Sequence, residues 1–308
     1  MSAPARSTGA RPGALAGALL VALSAAAFGS MAIFGVWAQE DGVDTPALIF
    51  VRFALASVVL VGVMRARRVA LPPLRRCLPV AAMGGIGYVG QSYCYFLALE
   101  HAQASLVALL LYLFPAFVAV LAAVFLREHI GPVTAAALVL ALVGSALVVG
   151  GGSGRPLGIA LGIGAAVIYS VYITVGSVVT DGMDVLAVST IVCVAAAVVC
   201  GGVVAVLAVA GRPAAFPSSG RGWGTLVAIA LVCTVVAILA FFGGLALLGP
   251  TSTSVLSTLE PVVTVGLATW LLSESLTGLQ AVGGALVLVA VVWLAVTHRA
   301  PVESAPPV

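Results

Sequence analysis

Two ionisable side chains, Arg52 and Glu260, stand within long apolar stretches of this chain of 308 residues. A charged side chain in an apolar medium is costly, so one that is kept there usually faces a water-filled cavity or a partner. Thr253, Ser257 and Thr264 flank Glu260 at spacings of three and four residues, which places the four side chains on one face of a helix. This polar face predicts the wall of a cavity that contains water.

The chemistry of Glu260 depends on what occupies that cavity. Its carboxylate could bind a substrate ammonium group or carry a proton, or it could be a structural carboxylate that is protonated or paired with Arg52. Pro261, the next residue, lacks an N–H group and so leaves a backbone carbonyl one turn earlier without its helical donor. That carbonyl adds a hydrogen-bond acceptor at the same depth.

Arg52 leaves three interpretations open. Its guanidinium could bind a substrate carboxylate through two parallel hydrogen bonds, or it could extend toward the membrane surface. It could also form a buried pair or a helix–helix hydrogen bond that fixes the fold, and this interpretation is favoured.

All six tyrosines lie in three of the apolar stretches, whereas an interfacial belt would spread them over the ends of many. Tyr88, Gln91 and Tyr95 share one helix face, and Tyr112 shares another with Ser105. A tyrosine suits a cavity wall because it combines an apolar ring with a hydroxyl group. The candidate substrate-binding residues are Arg52, Tyr88, Gln91, Tyr95, Tyr112, Tyr169, Tyr172, Ser257, Glu260 and Thr264.

The remaining motifs do not indicate catalysis. Residues 85–90 satisfy G-x-G-x-x-G, but no strand precedes them, so close helix packing is the better interpretation. The five cysteines have no C-x-x-C spacing and the three histidines are scattered, which indicates neither a disulfide framework nor a metal site. No catalytic arrangement of Ser and His, paired Asp or H-E-x-x-H stands within the apolar stretches. We therefore predict no enzymatic activity, no catalytic residue and no cofactor.

The composition explains where these stretches reside. Hydrophobic residues make up 62% of the chain and charged residues 7%, with a mean hydropathy of +1.25. Soluble domains carry roughly 45–50% apolar and about 25% charged residues. Too few polar side chains remain to cover a surface in water, which excludes a soluble enzyme and a nucleic-acid-binding protein.

Clusters of Pro, Gly and charged residues divide the chain into apolar runs of helical length, because a transmembrane helix needs about 20 residues. Backbone groups in hydrocarbon must be bonded within their own segment, so such runs predict helices. The fold class is an all-α integral membrane protein with ten transmembrane helices. The predicted spans are residues 14–38, 46–64, 78–98, 103–126, 132–150, 157–177, 185–210, 224–247, 252–272 and 278–297.

Arginine placement predicts the orientation, because loops on the cytoplasmic side carry an excess of Arg and Lys. With the N-terminus inside, the outer loops hold three arginines, namely Arg155, Arg212 and Arg221. The inner segments hold Arg6, Arg11, Arg65, Arg67, Arg68, Arg75, Arg76, Arg127 and Arg299. Residues 1–13 and 298–308 are then cytoplasmic tails.

The chain also resembles itself. Asp-Gly-x-Asp occurs at 41–44 and again at 181–184, Pro115 corresponds to Pro261, and Glu128 corresponds to Glu274. The repeats, residues 14–150 and 157–297, each contain five predicted spans. Because five is odd, the second repeat must be inverted in the membrane, which is a recurring plan of secondary transporters. The repetition of Glu128 and Glu274 at span ends favours a structural role for both, capping a helix or pairing with a loop arginine.

The residues that complete this plan resemble the EamA family of the drug/metabolite transporter (DMT) superfamily. The resemblance covers roughly residues 14–297 and is carried by ALIFVRF at 47–53, the segment from Pro115 to Glu128, LEP at 259–261 and LSE at 272–274. It implies alternating-access movement of small polar metabolites, commonly amino acids, across a plasma membrane. Val192 stands where Arg52 would repeat, so no role of an arginine transfers to that span.

We therefore predict a multi-pass secondary transporter of a bacterial-type inner membrane that moves amino acids or related solutes, with export favoured. The alternatives are a transporter of sugars, nucleotide precursors or organic cations, or a channel. The predicted partners are a small-molecule substrate and the lipid bilayer, with no nucleic acid. A proton or substrate gradient would supply the energy. Spans five and ten hold no charged residue and suit outer packing or a homodimer contact.

Overall fold

The computed structural model describes residues 13–125 and 131–297. Apart from Gly13, the two predicted tails lie outside the described residues, as does the loop that carries Arg127 and Glu128. Within the described ranges the chain is helical and contains no strand, and one isolated bridge pairs Ala102 with Gly154. The all-α class is confirmed.

The helices of the first half follow the predicted spans, but three of the spans are interrupted. The interruptions fall in the first, third and fourth spans. The helices are α1 (Ala14–Gly29), α2 (Met31–Glu40), α3 (Thr45–Ala66), α4 (Leu74–Ala82), a π-helical turn (Met83–Tyr88), α5 (Val89–Leu99), α6 (Ala104–Leu111), α7 (Phe114–Phe125) and α8 (Pro132–Gly151).

The second half repeats this order with interruptions in the eighth and ninth spans. The helices are α9 (Pro156–Val179), α10 (Val185–Val209), α11 (Gly220–Ala230), a second π-helical turn (Leu231–Val236), α12 (Ala237–Leu248), α13 (Pro250–Ser257), α14 (Leu259–Leu271) and α15 (Gly278–Thr297).

Eight helical stretches among the described residues are long and apolar enough to cross a membrane, so the chain is a multi-pass membrane protein. The stretch over residues 74–99 is not one of the eight, and it begins with Arg75 and Arg76 close together. The stretch over residues 250–271 begins with a polar run and leaves a shorter apolar helix, Val255–Leu271. The number of ten spans therefore stays a prediction.

The repeated Asp-Gly-x-Asp motif has the same structure in both halves. Gly42 and Gly182 adopt positive φ angles of 81° and 65°, a conformation that glycine reaches without strain. Asp44 accepts a hydrogen bond from the backbone of Ala47 and so caps α3, and Asp184 caps α10 in the same way. In each half the motif forms the turn between two consecutive helices and caps the second helix, which explains why it recurs.

The interruptions recur at matching positions too. The two π-helical turns are offset by 148 residues, from Met83 to Leu231. α6 gives way to α7 after Tyr112, and α13 gives way to α14 after Thr258, an offset of 146 residues (112 to 258). A proline follows three residues later in each case, and because it lacks an N–H group it interrupts the helical hydrogen bonds there.

The two halves pack against each other in equivalent pairs. α3 lies against α11 and the π-helical turn Leu231–Val236, whereas α10 lies against α4 and the π-helical turn Met83–Tyr88. At the second contact, a Cβ atom on Gly84 would approach the Val192 backbone to 2.7 Å, so the two backbones touch. At the first contact, the side chain of Arg52, which corresponds to Val192 in the repeat, donates a hydrogen bond to Thr234 of the π-helical turn.

Spans five and ten pack against each other as α8 and α15. Gly144 and Gly283 form the closest approach, because a Cβ atom on either would lie within 2.7 Å of the other residue's carbonyl oxygen. Small residues allow such backbone contact between helices in lipid. Packing of these two spans is therefore seen within one chain.

Loops at one end of the molecule are hydrogen-bonded to one another, and we call this the linked end. All of these loops are ones that the arginine distribution assigns to the outside. At the described part of the opposite end, the loops at 67–73, 180–184 and 249 make only local hydrogen bonds. The pairs at the linked end are Asp41 with Ser219, Asp44 with Ala215, His101 with Arg155, Gln103 with Ser153, Gly151 with Thr277, and Glu274 with Ala104 and Ser105.

Candidate functional site

Glu260 is the second residue of α14, directly after the break in the ninth span. Its Oε2 atom lies 3.0 Å from the hydroxyl of Tyr112, and the same hydroxyl lies 2.9 Å from the carbonyl oxygen of Ser257. The Ser257 carbonyl would bond the N–H of residue 261 in an unbroken helix, but residue 261 is proline. The acceptor predicted from Pro261 is thus this carbonyl, and the phenol of Tyr112 occupies it.

Tyr112 lies at the matching break in the first half, between α6 and α7. The two helix breaks therefore lie next to each other, and a phenol from one repeat contacts a carboxyl group from the other. Side chains 148 positions apart in the sequence are in direct contact here. In inverted-repeat transporters, broken helices placed this way leave backbone groups and side chains free to face a cavity between the repeats.

Aromatic rings continue from Tyr112 across the interior. Ring centroids lie 5.8 Å apart between Tyr112 and Phe114, 4.8 Å between Phe114 and Tyr169, and 6.0 Å between Tyr169 and Tyr172. Tyr172 then stacks on Tyr88 at 5.4 Å. These separations are those of favourable ring pairs. We call these five residues the aromatic row; they connect Glu260 to the surroundings of Arg52.

Arg52 is almost fully buried, with 2% of its surface exposed. Its Nε donates to the Thr234 hydroxyl at 3.0 Å, one terminal nitrogen donates to the Tyr88 hydroxyl at 2.9 Å, and the other to Ser92 at 3.4 Å. Its guanidinium carbon also lies 4.9 Å from the ring centre of Phe53. The cation is held by hydroxyl groups and rings, with no ion pair to any carboxylate of the described residues.

These contacts separate the three interpretations of Arg52. The side chain turns into the bundle, so it does not extend toward the membrane surface. It joins the two π-helical turns, because Tyr88 ends the turn of the first half and Thr234 lies in the turn of the second. The geometry is that of the helix–helix bond favoured from the sequence, and a direct pair with Glu260 is not formed.

The other predicted site residues have individual placements. Thr264 is buried and donates to the Gly29 carbonyl, so its hydroxyl joins α14 to α1. The Ser257 hydroxyl donates back to the Thr253 carbonyl within α13, whereas its own carbonyl takes part in the site. Tyr95 is buried edge-on against Phe96.

Gln91 lies beside the arginine network. Its side-chain oxygen accepts from the Ser92 hydroxyl at 3.4 Å, and Ser92 in turn contacts Arg52. The structure therefore assembles Glu260, Tyr112 and the Ser257 carbonyl at one end of the aromatic row, and Arg52, Tyr88 and Gln91 at the other. Tyr169 and Tyr172 lie between them.

Three residues of this arrangement were missed by reasoning from sequence, namely Ser92, Phe114 and Thr234. Thr234 had a usable signal, since it is the one polar residue in the apolar run of the second π-helical turn. Phe114 precedes Pro115, and the break at that proline turns its ring toward Tyr169. Ser92 adjoins the predicted Gln91, and its spacing of four residues after Tyr88 and three before Tyr95 places it on the same face, so the sequence held a signal for it as well.

Comparison with known proteins decides what this architecture is. The family model described as the EamA-like transporter family matches residues 15–150 and again residues 156–296. The chain belongs to the EamA-like transporter family. The two matches correspond to the two structural repeats, and the family lies within the DMT superfamily.

Solved structures agree on the fold of this EamA-like chain. Twenty-five solved chains match it, and one, titled only "Crystal structure of protein", has a TM-score of 0.64 and 22% sequence identity. That match covers 91% of this chain and 96% of the other. No curated protein matches.

The EamA-like core offers binding chemistry between its two repeats. A carboxyl group lies next to a row of aromatic rings there, and both kinds of group attract positive charge. Among the described residues, no group of three His, Cys, Asp or Glu side chains lies close enough together to hold a metal ion.

Proposed function

We propose that this EamA-like chain is a secondary transporter that moves small polar metabolites, amino acids or related solutes, across a bacterial-type plasma membrane by alternating access. Export is the proposed direction, and both termini are proposed to be cytoplasmic. The observation that carries the proposal is the meeting of Glu260 and Tyr112 at the matching breaks of the two repeats. A carboxyl group at such a junction suits a substrate ammonium group, and the aromatic row suits the rest of the molecule.

The proposed topology has ten spans in two inverted repeats, residues 14–150 and 157–297. Residues 74–99 form one nearly continuous helical stretch, and at 1.5 Å per residue it is about 39 Å long, enough to cross a hydrocarbon core of about 30 Å. Residues 250–271 form a stretch of about 33 Å by the same measure. Counting both as spans gives ten, five in each repeat, and an even number keeps the two chain termini on the same side.

A second candidate substrate class is organic cations that lack a carboxylate. The three nitrogens of Arg52 each already have a partner, and the side chain is almost fully buried. Glu260, which is partly accessible, is then the charge available beside the aromatic row. This arrangement favours recognition of a positive group without requiring a negative one.

The test is solute efflux from cells that express the wild type, Glu260→Gln or Glu40→Gln at matched membrane levels. Cells are loaded with an amino-acid mixture and with choline as a quaternary ammonium probe, and the medium is followed by mass spectrometry. We expect a solute that leaves faster with the wild type and with Glu40→Gln, an exposed carboxylate, but not with Glu260→Gln. Equal efflux from all three removes Glu260 from the mechanism, and choline efflux alone selects the second candidate.

A further inference from the structure

The Tyr112 hydroxyl has one hydrogen but two oxygen neighbours, so the number of hydrogen-bond donors at this position bears on whether Glu260 is protonated. The Ser257 carbonyl oxygen is 2.9 Å away and the Glu260 Oε2 atom is 3.0 Å away. A carbonyl oxygen only accepts, and a carboxylate only accepts. One O–H group cannot donate well to both oxygens at once.

The Ser257 carbonyl is the favoured acceptor of that hydrogen. Pro261 supplies no N–H group, so the helical donor of this carbonyl is absent. A buried carbonyl without a donor costs about 1–3 kcal/mol. If Tyr112 donates to Ser257, the contact with Glu260 is a hydrogen bond only when the carboxyl group itself carries a hydrogen and donates to the phenol oxygen.

We propose that Glu260 carries a proton in this conformation and is the site through which proton movement is coupled to transport. This inference rests on the proposed function and adds the coupling ion to it. Loss of the proton to a water molecule turns Glu260 into an acceptor, and the Tyr112 hydroxyl then rotates so that it donates to the carboxylate instead of the Ser257 carbonyl. The hydrogen bond from the carboxyl group to the phenol oxygen is lost with the proton, no other covalent bond forms or breaks, and the carbonyl at the helix break is left without a donor.

The surroundings of Glu260 suit this exchange. Among the described residues, the phenols of Tyr88, Tyr95, Tyr112 and Tyr169 interact with Glu260, and that of Tyr112 contacts it directly. α6, which also packs against α14, contains no titratable residue. α1, which packs against α14, contributes no titratable residue, and the one in α2, Glu40, ends that helix at the linked end. Arg52 lies at the far end of the aromatic row. The switch is therefore the Glu260, Tyr112 and Ser257 group, with no competing carboxylate among the described residues.

Infrared spectroscopy of the purified full chain in liposomes tests the proposal without knowing the substrate. We expect the carbonyl band of a protonated carboxyl group at neutral pH in the wild type, shifted by D₂O, present in Glu40→Gln and absent in Glu260→Gln. Identical spectra for the wild type and Glu260→Gln overturn the proposal. Because no transport is measured, this result is independent of whether the efflux experiment succeeds.

Pro261→Ala tests the exchange of hydrogen-bond partners directly. Its new N–H group bonds the Ser257 carbonyl and leaves Tyr112 free to donate to the carboxylate, which stabilises the ionised form. We expect the band to titrate away about one pH unit lower than in the wild type. Pro79→Ala, which removes an exposed proline inside α4, is the matched control and leaves the titration unchanged. A Pro261→Ala band that titrates as in the wild type overturns the exchange of partners.

Coupling is measured in proteoliposomes with the solute that the efflux experiment identifies. A pH gradient accelerates transport by the wild type several-fold and has no effect on Glu260→Gln. A wild type that is indifferent to the gradient, although its carboxyl band is present, restricts the proton to a structural role and overturns the coupling.

Discussion

A single arginine, Arg52, links the two repeats in the interior of the helix bundle. Arg52 bonds Tyr88 and Ser92 from one half and Thr234 from the other, and these side chains are hydroxyl groups rather than carboxylates. Hydrogen bonds to a charged group contribute about 1.5–3 kcal/mol each, provided that their geometry is kept. The planar fork of arginine reaches three directions at once, which the ammonium group of lysine does not reproduce.

Arg52→Lys should therefore lower the thermal stability even though it keeps the charge. We expect the loss of at least one such bond, about 1.5–3 kcal/mol, measured as an earlier unfolding transition of the purified protein in detergent. Arg67→Lys, at an exposed position after α3, is the control and should unfold like the wild type. Equal transitions for both variants would show that the fork at Arg52 holds nothing together.

At the scale of helices, glycine positions decide how closely neighbouring elements approach. Gly144 on α8 faces Gly283 on α15, and each backbone fills the space that a side chain on the other would need. Gly150 lies on the same helix as Gly144, but a Cβ atom there would meet nothing within 4 Å. The two positions differ in packing and share their secondary structure.

Gly144→Ala is expected to destabilise the fold by about 1–3 kcal/mol, because the added methyl group forces α8 and α15 apart. Gly150→Ala should be neutral or slightly stabilising, since alanine is the better helix former. Thermal unfolding of the two variants side by side makes the comparison. Equal effects would mean that α8 and α15 do not touch at these glycines.

The elements also show how far sequence reasoning reaches. Hydropathy, the repeated Asp-Gly-x-Asp turns and Pro261 with its free carbonyl could be predicted, because each depends on neighbours in the chain. The partners of Arg52 could not, since Thr234 is 182 positions away and comes close only after the repeats pack. The polar stripe predicted on the ninth span assumed one straight helix, and the break at Thr258 leaves Thr264 bonded to α1 instead of facing the aromatic row.

At the scale of the molecule, the linked end is fastened by a carboxylate from the second repeat. Glu274 accepts from the backbone N–H groups of Ala104 at 2.7 Å and Ser105 at 3.1 Å, and from the Ser105 hydroxyl at 2.6 Å. These are the free donors at the start of α6, so Glu274 caps a helix of the other repeat. The capping role that the sequence favoured for Glu274 is seen here. The Glu274 side chain also lines a recess at this end together with Trp37, Glu40 and Arg221.

Glu274→Ala should loosen the start of α6, because the first N–H groups lose their acceptor. The loss of such a cap is worth about 0.5–2 kcal/mol, which raises amide hydrogen exchange locally. Mass spectrometry of a peptide that covers residues 100–111 measures it, with Glu40→Ala as the control. Unchanged exchange in Glu274→Ala would mean that Glu274 does not stabilise the start of α6.

Arg52 and Val192 occupy corresponding positions in the two repeats but make different contacts, and this difference has a consequence for the proposed transport cycle. In an ideal inverted repeat, exchanging the shapes of the two halves gives a mirror state of equal free energy. Here a hydrogen-bonded cation makes one contact and touching backbones make its counterpart, so the two halves are not interchangeable and the two states of the proposed cycle differ in free energy. A difference of 1.4 kcal/mol is tenfold in population. Under the proposed alternating access, the protein without substrate should therefore rest predominantly in the state that faces one side of the membrane.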